Sequence, residues 1–80
     1  MSDKKLNGFR VAIVATNGFE EAELLEPRKA LEEAGARTTV LAPKSGKLQG
    51  MKHDEKSDSV NVEATLDHAN AHDFDAVLLP

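Results

Sequence analysis

Three short apolar runs stand out against the polar background of the chain. They occupy residues 9–15, 38–42 and 74–80 and consist mainly of valine, leucine, isoleucine and alanine. Near-continuous apolar runs of this length are typical of strands that are buried on both faces of a parallel sheet. The pattern therefore predicts three buried parallel strands, of which the second is closed by Pro43.

Between the first two runs, residues 20–36 have the spacing of an amphipathic helix. The apolar positions that recur at intervals of three and four are Leu24, Pro27, Leu31 and Ala34. Since Pro27 lacks a backbone donor, we expect a kink or a fresh first turn at that position. Gly35 is expected to end the helix. Strand, helix and strand together predict a right-handed βαβ unit.

The other segments are polar and predict surface structure. Residues 44–59 include four lysines, which we interpret as solvated, and short strands are expected near Leu48 and at 60–64. A short helix is expected at 66–71, and residues 1–8 are expected to form a flexible leader.

Together these elements predict the α/β class with an unfinished architecture. A parallel sheet needs helices on both faces, and the pattern supplies one long helix. We therefore expect residues 1–80 to be the N-terminal portion of a single domain, truncated after the third buried strand. An uncovered sheet with an open edge predicts self-association, or assembly with a missing C-terminal half.

Composition and charge narrow the function. The 80 residues carry a net charge of −4, so no basic surface is expected to bind nucleic acid. The apolar runs are too short to span a membrane, and the N-terminus has no apolar signal-peptide centre, which favours a cytoplasmic location. There is no cysteine, which excludes disulfides, thiolate metal sites and a thiol nucleophile within this chain.

The loop after the first strand is the place to look for chemistry, because open α/β sheets bind ligands beyond the carboxyl ends of their strands. Gly18 alone does not make a dinucleotide or phosphate loop. Glu20, Glu21 and Glu23 crowd the predicted helix start, where they stabilise the helix dipole and repel phosphate. Two interpretations stay open. The glutamates only stabilise the helix start, or Glu20 and Glu23 share a face as a functional pair while Glu21 points away.

Metal binding is the weaker alternative elsewhere in the chain. His68 and His72 are four residues apart and would share a helix face as zinc ligands, but no third ligand is positioned and a polar surface helix explains them equally well. His53, Asp54 and Glu55 are better explained as a solvated loop than as a cation site. No metal is predicted.

At this point the chain resembles a known family. The residues that carry the resemblance are Val11 to Leu24 with the segment Thr16-Asn17-Gly18-Phe19-Glu20-Glu21-Ala22-Glu23-Leu24, then Pro27, Gly35 and Val40 to Pro43, and finally Phe74-Asp75-Ala76-Val77-Leu78-Leu79-Pro80. In this order and spacing they are similar to the opening half of the PfpI-like intracellular cysteine proteases and protein deglycases, a class I glutamine amidotransferase-like superfamily. The resemblance covers nearly the whole chain after residue 8.

The resemblance implies a flavodoxin-like parallel sheet sandwiched by helices, and hydrolase-type chemistry on peptides, glycated side chains or small carbonyl compounds. It implies oligomers and no cofactor. In that family the position of Pro80 is followed by two glycines and later by an elbow with a nucleophilic cysteine beside a histidine, which lie outside this sequence. The last acid of the Gly-x-Glu-Glu-x-Glu pattern, which supports that cysteine, falls on Glu23, with Glu20 as second choice.

A second class of function stays open beside the enzyme fragment. A non-catalytic α/β interaction or chaperone-like module that uses exposed strand edges would have the same apolar pattern. The sequence that follows Pro80 in the parent protein distinguishes the two classes.

Overall fold

A computed structural model describes residues 5–80 of the chain. The elements in chain order are strand β1 (Arg10–Val14), strand β2 (Phe19–Glu20), helix α1 (Glu21–Glu33), strands β3 (Arg37–Ala42), β4 (Lys47–Lys52), β5 (Glu55–Asn61) and β6 (Ala64–Thr65), a 3-10 helix (Ala71–Asp73) and strand β7 (Ala76–Leu78).

The main sheet is four-stranded, parallel and ordered β6-β3-β1-β7. Strand β1 is central, and Val11 aligns with Thr38 of β3 on one side and with Ala76 of β7 on the other. The three predicted parallel strands are therefore confirmed, and so is the α/β class. Strand β6 is an addition, since the sequence predicted one strand over 60–64 where the chain instead leaves β5 at Asn61 and enters the sheet at Ala64.

One face of this sheet packs against helix α1 and forms the core. Ile13 of β1, Val40 of β3 and Leu24 of α1 are each 0% exposed. Full burial of one such side chain stabilises the fold by about 2 kcal/mol. The βαβ unit thus closes around the aliphatic positions that the sequence singled out on the helix and the two strands.

Helix α1 departs from the prediction at its start and at Pro27, and it ends at the predicted Gly35 stop. It begins at Glu21, because Glu20 is still extended (φ −73°, ψ 122°). It continues through Pro27 as one element, so the fresh first turn expected there is wrong. It ends in a Schellman motif, in which Gly35 has φ 102° and the Ala36 N–H donates to the Leu31 carbonyl at 2.9 Å.

No helix of residues 5–80 is long and apolar enough to cross a membrane.

The polar segment after β3 forms a longer hairpin than the sequence predicted. Strands β4 and β5 pair antiparallel, and β2 adds to β4 in parallel to give a second, three-stranded sheet. Backbone pairing explains the difference, since β5 is mostly exposed and has little apolar pattern to reveal it. Gly50 lies opposite Phe19 in this sheet, and a Cβ at Gly50 would lie 2.6 Å from the Asp58 carbonyl oxygen.

One prediction about the short polar segments is wrong. Residues 66–71 form a turn followed by the start of the 3-10 helix, rather than one helix, because Asn70 is extended and its side chain accepts a hydrogen bond from the His72 N–H at 2.9 Å. Residues 5–8 form a turn in which the Leu6 N–H donates to the Ala34 carbonyl at 2.9 Å. The rest of the predicted leader, residues 1–4, lies outside the described residues.

The second face of the main sheet is only partly covered. The segment that leads to β7 crosses it and leaves a cavity of about 320 Å³ lined by Ala12, Leu41, Phe74 and neighbouring residues. Val77 is 62% exposed and Leu79 is 73% exposed, so the prediction that this strand is buried on both faces is wrong. Since β7 has a neighbour on one side only, its backbone edge is open.

We predict that the open edge and exposed aliphatic side chains of β7 make the chain self-associate or fold with low stability. Val77→Lys should weaken association, because a charge would have to be buried in the contact, whereas Ala30→Lys on the exposed surface of α1 should not. Sedimentation velocity over a range of concentrations measures the effect. A concentration-independent monomer with a sharp thermal transition and strong amide-exchange protection in β7 would contradict the prediction.

The start of β7 is joined to β1 by an ion pair. The Asp75 carboxylate accepts hydrogen bonds from the Arg10 side chain at 3.3 Å and from the Arg10 backbone N–H at 2.8 Å. These contacts, the side chain first, lower the pKa of Asp75. A depressed carboxyl pKa stabilises the fold above the unfolded-state value of about 3.9, and the stabilisation is lost as pH falls through the folded-state pKa.

Asp75→Asn should therefore lower the urea midpoint at neutral pH and make that midpoint less sensitive to acid below about pH 4 than in the parent chain. Asp54→Asn, the same change at an exposed position of the hairpin turn, is the control. Parallel pH profiles for the parent and Asp75→Asn would show that the pair does not contribute to stability.

Candidate functional site

The order of the strands places a crevice at one end of the main sheet. The chain runs from β1 to β3 and β6 on one side, and only then to β7 on the other side of β1. Because the chain reverses direction across the sheet at β1, a topological switch point lies beyond the carboxyl ends of β1 and β7. Open α/β sheets bind ligands at such points. A cleft of about 490 Å³ lies there, lined by residues 14–20, Glu23, Leu79 and Pro80.

The loop in this cleft is held by the hairpin. The Asn17 side-chain oxygen accepts a hydrogen bond from the Gln49 N–H at 2.9 Å, and the Gly18 N–H donates to the Gln49 carbonyl at 2.8 Å. Gly18 has φ 86°, a left-handed conformation that glycine adopts without strain. From the sequence, Asn17 had no separate role, although an asparagine directly after a strand is a signal of a side chain that bonds nearby backbone.

Glu20 occupies the N-cap position of α1 and faces the hairpin. Its carboxylate accepts a hydrogen bond from the His53 backbone N–H at 3.2 Å, and it makes no capping bond to the helix. The side chain is half-buried. Glu20 therefore lines the cleft while it also connects the helix start to the turn between β4 and β5.

Glu23 lies in the first turn of α1 and is exposed. It lines the same cleft as Glu20, whereas Glu21 does not. Within residues 5–80 the Glu23 carboxylate has no hydrogen-bond or ion-pair partner. The structure thus brings Glu20 and Glu23 together, although Glu20 reaches the cleft from an extended residue rather than from the helix. Of the two, Glu23 is the one free to bind an incoming group.

The Phe19 side chain lies between this cleft and the hydrophobic core. It is 7% exposed and packs in the cluster that includes Leu24 and Leu48. Because it is fixed in the core, it positions the neighbouring Glu20 backbone.

The residues considered as metal ligands are not brought together. His68 lies in the turn after β6 and its Nδ1 atom is 2.8 Å from the Thr65 hydroxyl, whereas His72 lies in the 3-10 helix. The helix that would have placed the two imidazoles on one face does not form. In the part of the chain that the structure describes, no group of three or more histidine, aspartate or glutamate side chains is arranged to hold a metal ion.

Comparison with known proteins identifies one family. The sequence pattern of the DJ-1/PfpI family matches residues 9–80. Among solved structures, a ThiJ/PfpI domain protein from Brachyspira murdochii superimposes with a TM-score of 0.76 at 25% identity, over 91% of this chain and 40% of that one. The residues that match the family, 9–80, include every strand, helix α1 and the loop that lines the cleft.

Curated relatives share this region and extend well beyond it. General stress protein 18 of Bacillus subtilis is 41% identical over 73 residues, which is 91% of this chain and 41% of the relative. The B. subtilis protein named “Putative cysteine protease YraA” is 37% identical over 71 residues, 89% of this chain and 40% of the relative. The chain therefore spans about two fifths of the length of these relatives.

Proposed function

The chain belongs to the DJ-1/PfpI family, and from that premise we propose that it forms the N-terminal portion of a PfpI-like cysteine hydrolase, with protease, protein deglycase or glyoxalase-type activity. The observation that carries the proposal is the unpaired Glu23 carboxylate in the switch-point cleft. The names of the two relatives, “General stress protein 18” and “Putative cysteine protease YraA”, support the same class.

In this proposal Glu23 supports a cysteine that another segment supplies, because the chain has none. A thiolate and a carboxylate in contact cannot both be charged without strong repulsion, so one of them holds the proton. Since the thiolate is the nucleophile, Glu23 holds the proton and donates it to the sulfur as a hydrogen bond, which lowers the pKa of the cysteine. Glu20, already bonded to the His53 N–H, is the second candidate.

The parent protein would act on a small carbonyl, glycated or peptide substrate without a cofactor. Homo-oligomeric assembly and a cytoplasmic location belong to the same proposal. A non-catalytic interaction module is the second candidate, and the exposed Val77 and Leu79 beside an open strand edge favour it. Two glycines and a Cys-His elbow after Pro80 in the parent would support the hydrolase, and unrelated sequence there would support the module.

We expect the 80-residue chain on its own to be catalytically silent, because the chemistry needs a thiolate and the chain contains no cysteine. Incubation with methylglyoxal, a glycated peptide or a protease substrate should give only background turnover. Activity that follows the chain through rigorous purification would contradict this expectation.

The role of Glu23 is tested in a protein that joins this segment to a cysteine-bearing remainder. Glu23→Leu removes the donor and should slow iodoacetamide alkylation at pH 7 by about tenfold, which corresponds to a rise of about one unit in the cysteine pKa. Glu23→Gln keeps a donor and should stay close to the parent. The measurement is the alkylation rate as a function of pH.

Glu20→Leu and Glu21→Leu are the matched controls for this series. Glu20→Leu should have the smaller effect, and Glu21→Leu should have little, because Glu21 does not line the cleft. A large effect of Glu20→Leu alone would move the role to Glu20. Unchanged profiles for both Glu23→Leu and Glu20→Leu would leave the carboxylates as stabilisers of the helix start and would refute the proposed role.

A further inference from the structure

A second cleft lies on the other side of the β1 loop. It has a volume of about 300 Å³ and opens beyond the carboxyl ends of β1 and β3. We refer to it as the basic cleft, and to the cleft that holds Glu20 and Glu23 as the acidic cleft. The lining residues of the basic cleft are Thr16, Asn17, Ala42, Pro43, Lys44, Ser45, Lys47 and Leu48.

The charges of the two clefts are opposite. Among residues 5–80, Lys44 and Lys47 are the charged side chains that line the basic cleft, and no carboxylate lines it. Within the same described range the acidic cleft has Glu20 and Glu23 and no cation in its lining. Because the chain as a whole has a net charge of −4, this local excess of positive charge distinguishes the basic cleft from the chain's average charge. An anion near the β1 loop is therefore drawn to one side of the loop and repelled from the other.

Neutral donors complete the basic cleft. The Asn17 side-chain oxygen is occupied by the Gln49 N–H, so the amide orientation is fixed and both Nδ2 hydrogens stay free to donate. The exposed hydroxyls of Thr16 and Ser45 add two further donors. Ammonium, amide and hydroxyl donors around one cleft match the acceptor oxygens of a carboxylate or phosphate.

The loop that carries these groups is anchored. The Gly46 carbonyl accepts a hydrogen bond from the Val62 N–H at 2.8 Å, and Gly46 has φ 113°, which closes the turn between Lys44 and Lys47. From the sequence, all four lysines of residues 44–59 were expected to be solvated. The structure separates them, because Lys44 and Lys47 line the cleft whereas Lys52 and Lys56 lie farther along the hairpin.

We propose that the basic cleft binds the carboxylate or phosphate group of a small carbonyl substrate. Thr16 and Asn17 line both clefts, so a ligand held by its anionic end on Lys44 and Lys47 extends across the loop into the acidic cleft. The reversed orientation is disfavoured, because the anionic end would meet Glu20 and Glu23. The proposal that the basic cleft binds an anion depends only on the residues of that cleft. The proposal that the bound carbonyl reaches a nucleophile rests on the proposed function.

The test uses pyridoxal 5′-phosphate as an anionic aldehyde probe and pyridoxal as the matched probe without phosphate. Both form imines with lysine, which borohydride fixes for mapping by mass spectrometry. In the native 80-residue chain one of the two cleft lysines should hold the phosphate of the probe while the other forms the imine with its adjacent aldehyde, so Lys44 and Lys47 taken together should be modified about fivefold faster than Lys52 and Lys56, after normalisation to the urea-unfolded chain. Pyridoxal should show no such preference. Because the readout compares lysines within the same chain, it requires neither that the chain be monomeric nor that it be catalytically active.

Competition identifies the source of the anion. Protection of Lys44 and Lys47 by inorganic phosphate alone indicates a phosphorylated ligand, protection by acetate alone indicates a carboxylate, and protection by both indicates a general oxyanion site. Equal modification of all four lysines, the same preference with pyridoxal, or protection by neither anion overturns the proposal.

A variant pair separates this inference from the hydrolase proposal. In the cysteine-bearing protein, Lys44→Gln with Lys47→Gln should raise the KM for an anionic carbonyl substrate about fivefold and leave kcat and the thiol alkylation profile unchanged. Lys52→Gln with Lys56→Gln removes the same charge from the hairpin and should leave KM unchanged. Equal KM effects from both pairs would overturn the delivery role. Selective labelling of Lys44 and Lys47, together with no turnover by the cysteine-bearing protein, would retain the anion site and refute the hydrolase.

Discussion

The parallel pairing of β1 on both of its edges is the constraint on which the rest of this structure depends. β1 bonds to β3 on one side and to β7 on the other, and Val11, Ala12 and Ile13 are all at most 3% exposed. The buried part of such a strand must be apolar, and polar groups can follow it on this side only beyond its carboxyl end. Thr16, Asn17 and Gly18 are that polar continuation, so the position of the candidate site follows directly from how β1 is packed.

The hairpin gives this loop its definite shape. Gln49 bonds the loop through both its backbone groups, and the His53 N–H bonds the Glu20 carboxylate. Gly50 allows β5 to approach β4 closely, since a Cβ there would lie 2.6 Å from the Asp58 carbonyl oxygen. The two clefts consequently share a rigid wall, with carboxylates on one side and ammonium groups on the other. Such a wall orients a charged ligand by its field as well as by its shape.

The two faces of the sheet differ in how well they are covered. Helix α1 seals one face around Leu24, whereas a turn and a 3-10 helix cross the other and leave Val77 exposed. Relatives of this chain are more than twice as long as the segment they share with it. The uneven burial places most of the stabilising apolar contact on the α1 side, and the ion pair between Arg10 and Asp75 helps to hold β7 where apolar packing is thin.

The sequence by itself determined the three parallel strands, the long helix, the Gly35 stop and the family, because near-continuous apolar runs, helical periodicity and glycine at a helix end are local signals. It also pointed to the loop that carries Glu20 and Glu23. Only the tertiary structure decided that β5 is a strand, that residues 66–71 are not one helix, that β7 is half exposed, and that Glu20 is bonded while Glu23 is free. The separation of Lys44 and Lys47 from the other hairpin lysines was likewise decided by the tertiary structure. These features depend on which segments become neighbours across the sheet, and the distances between such segments are not encoded in the spacing of residues along the chain.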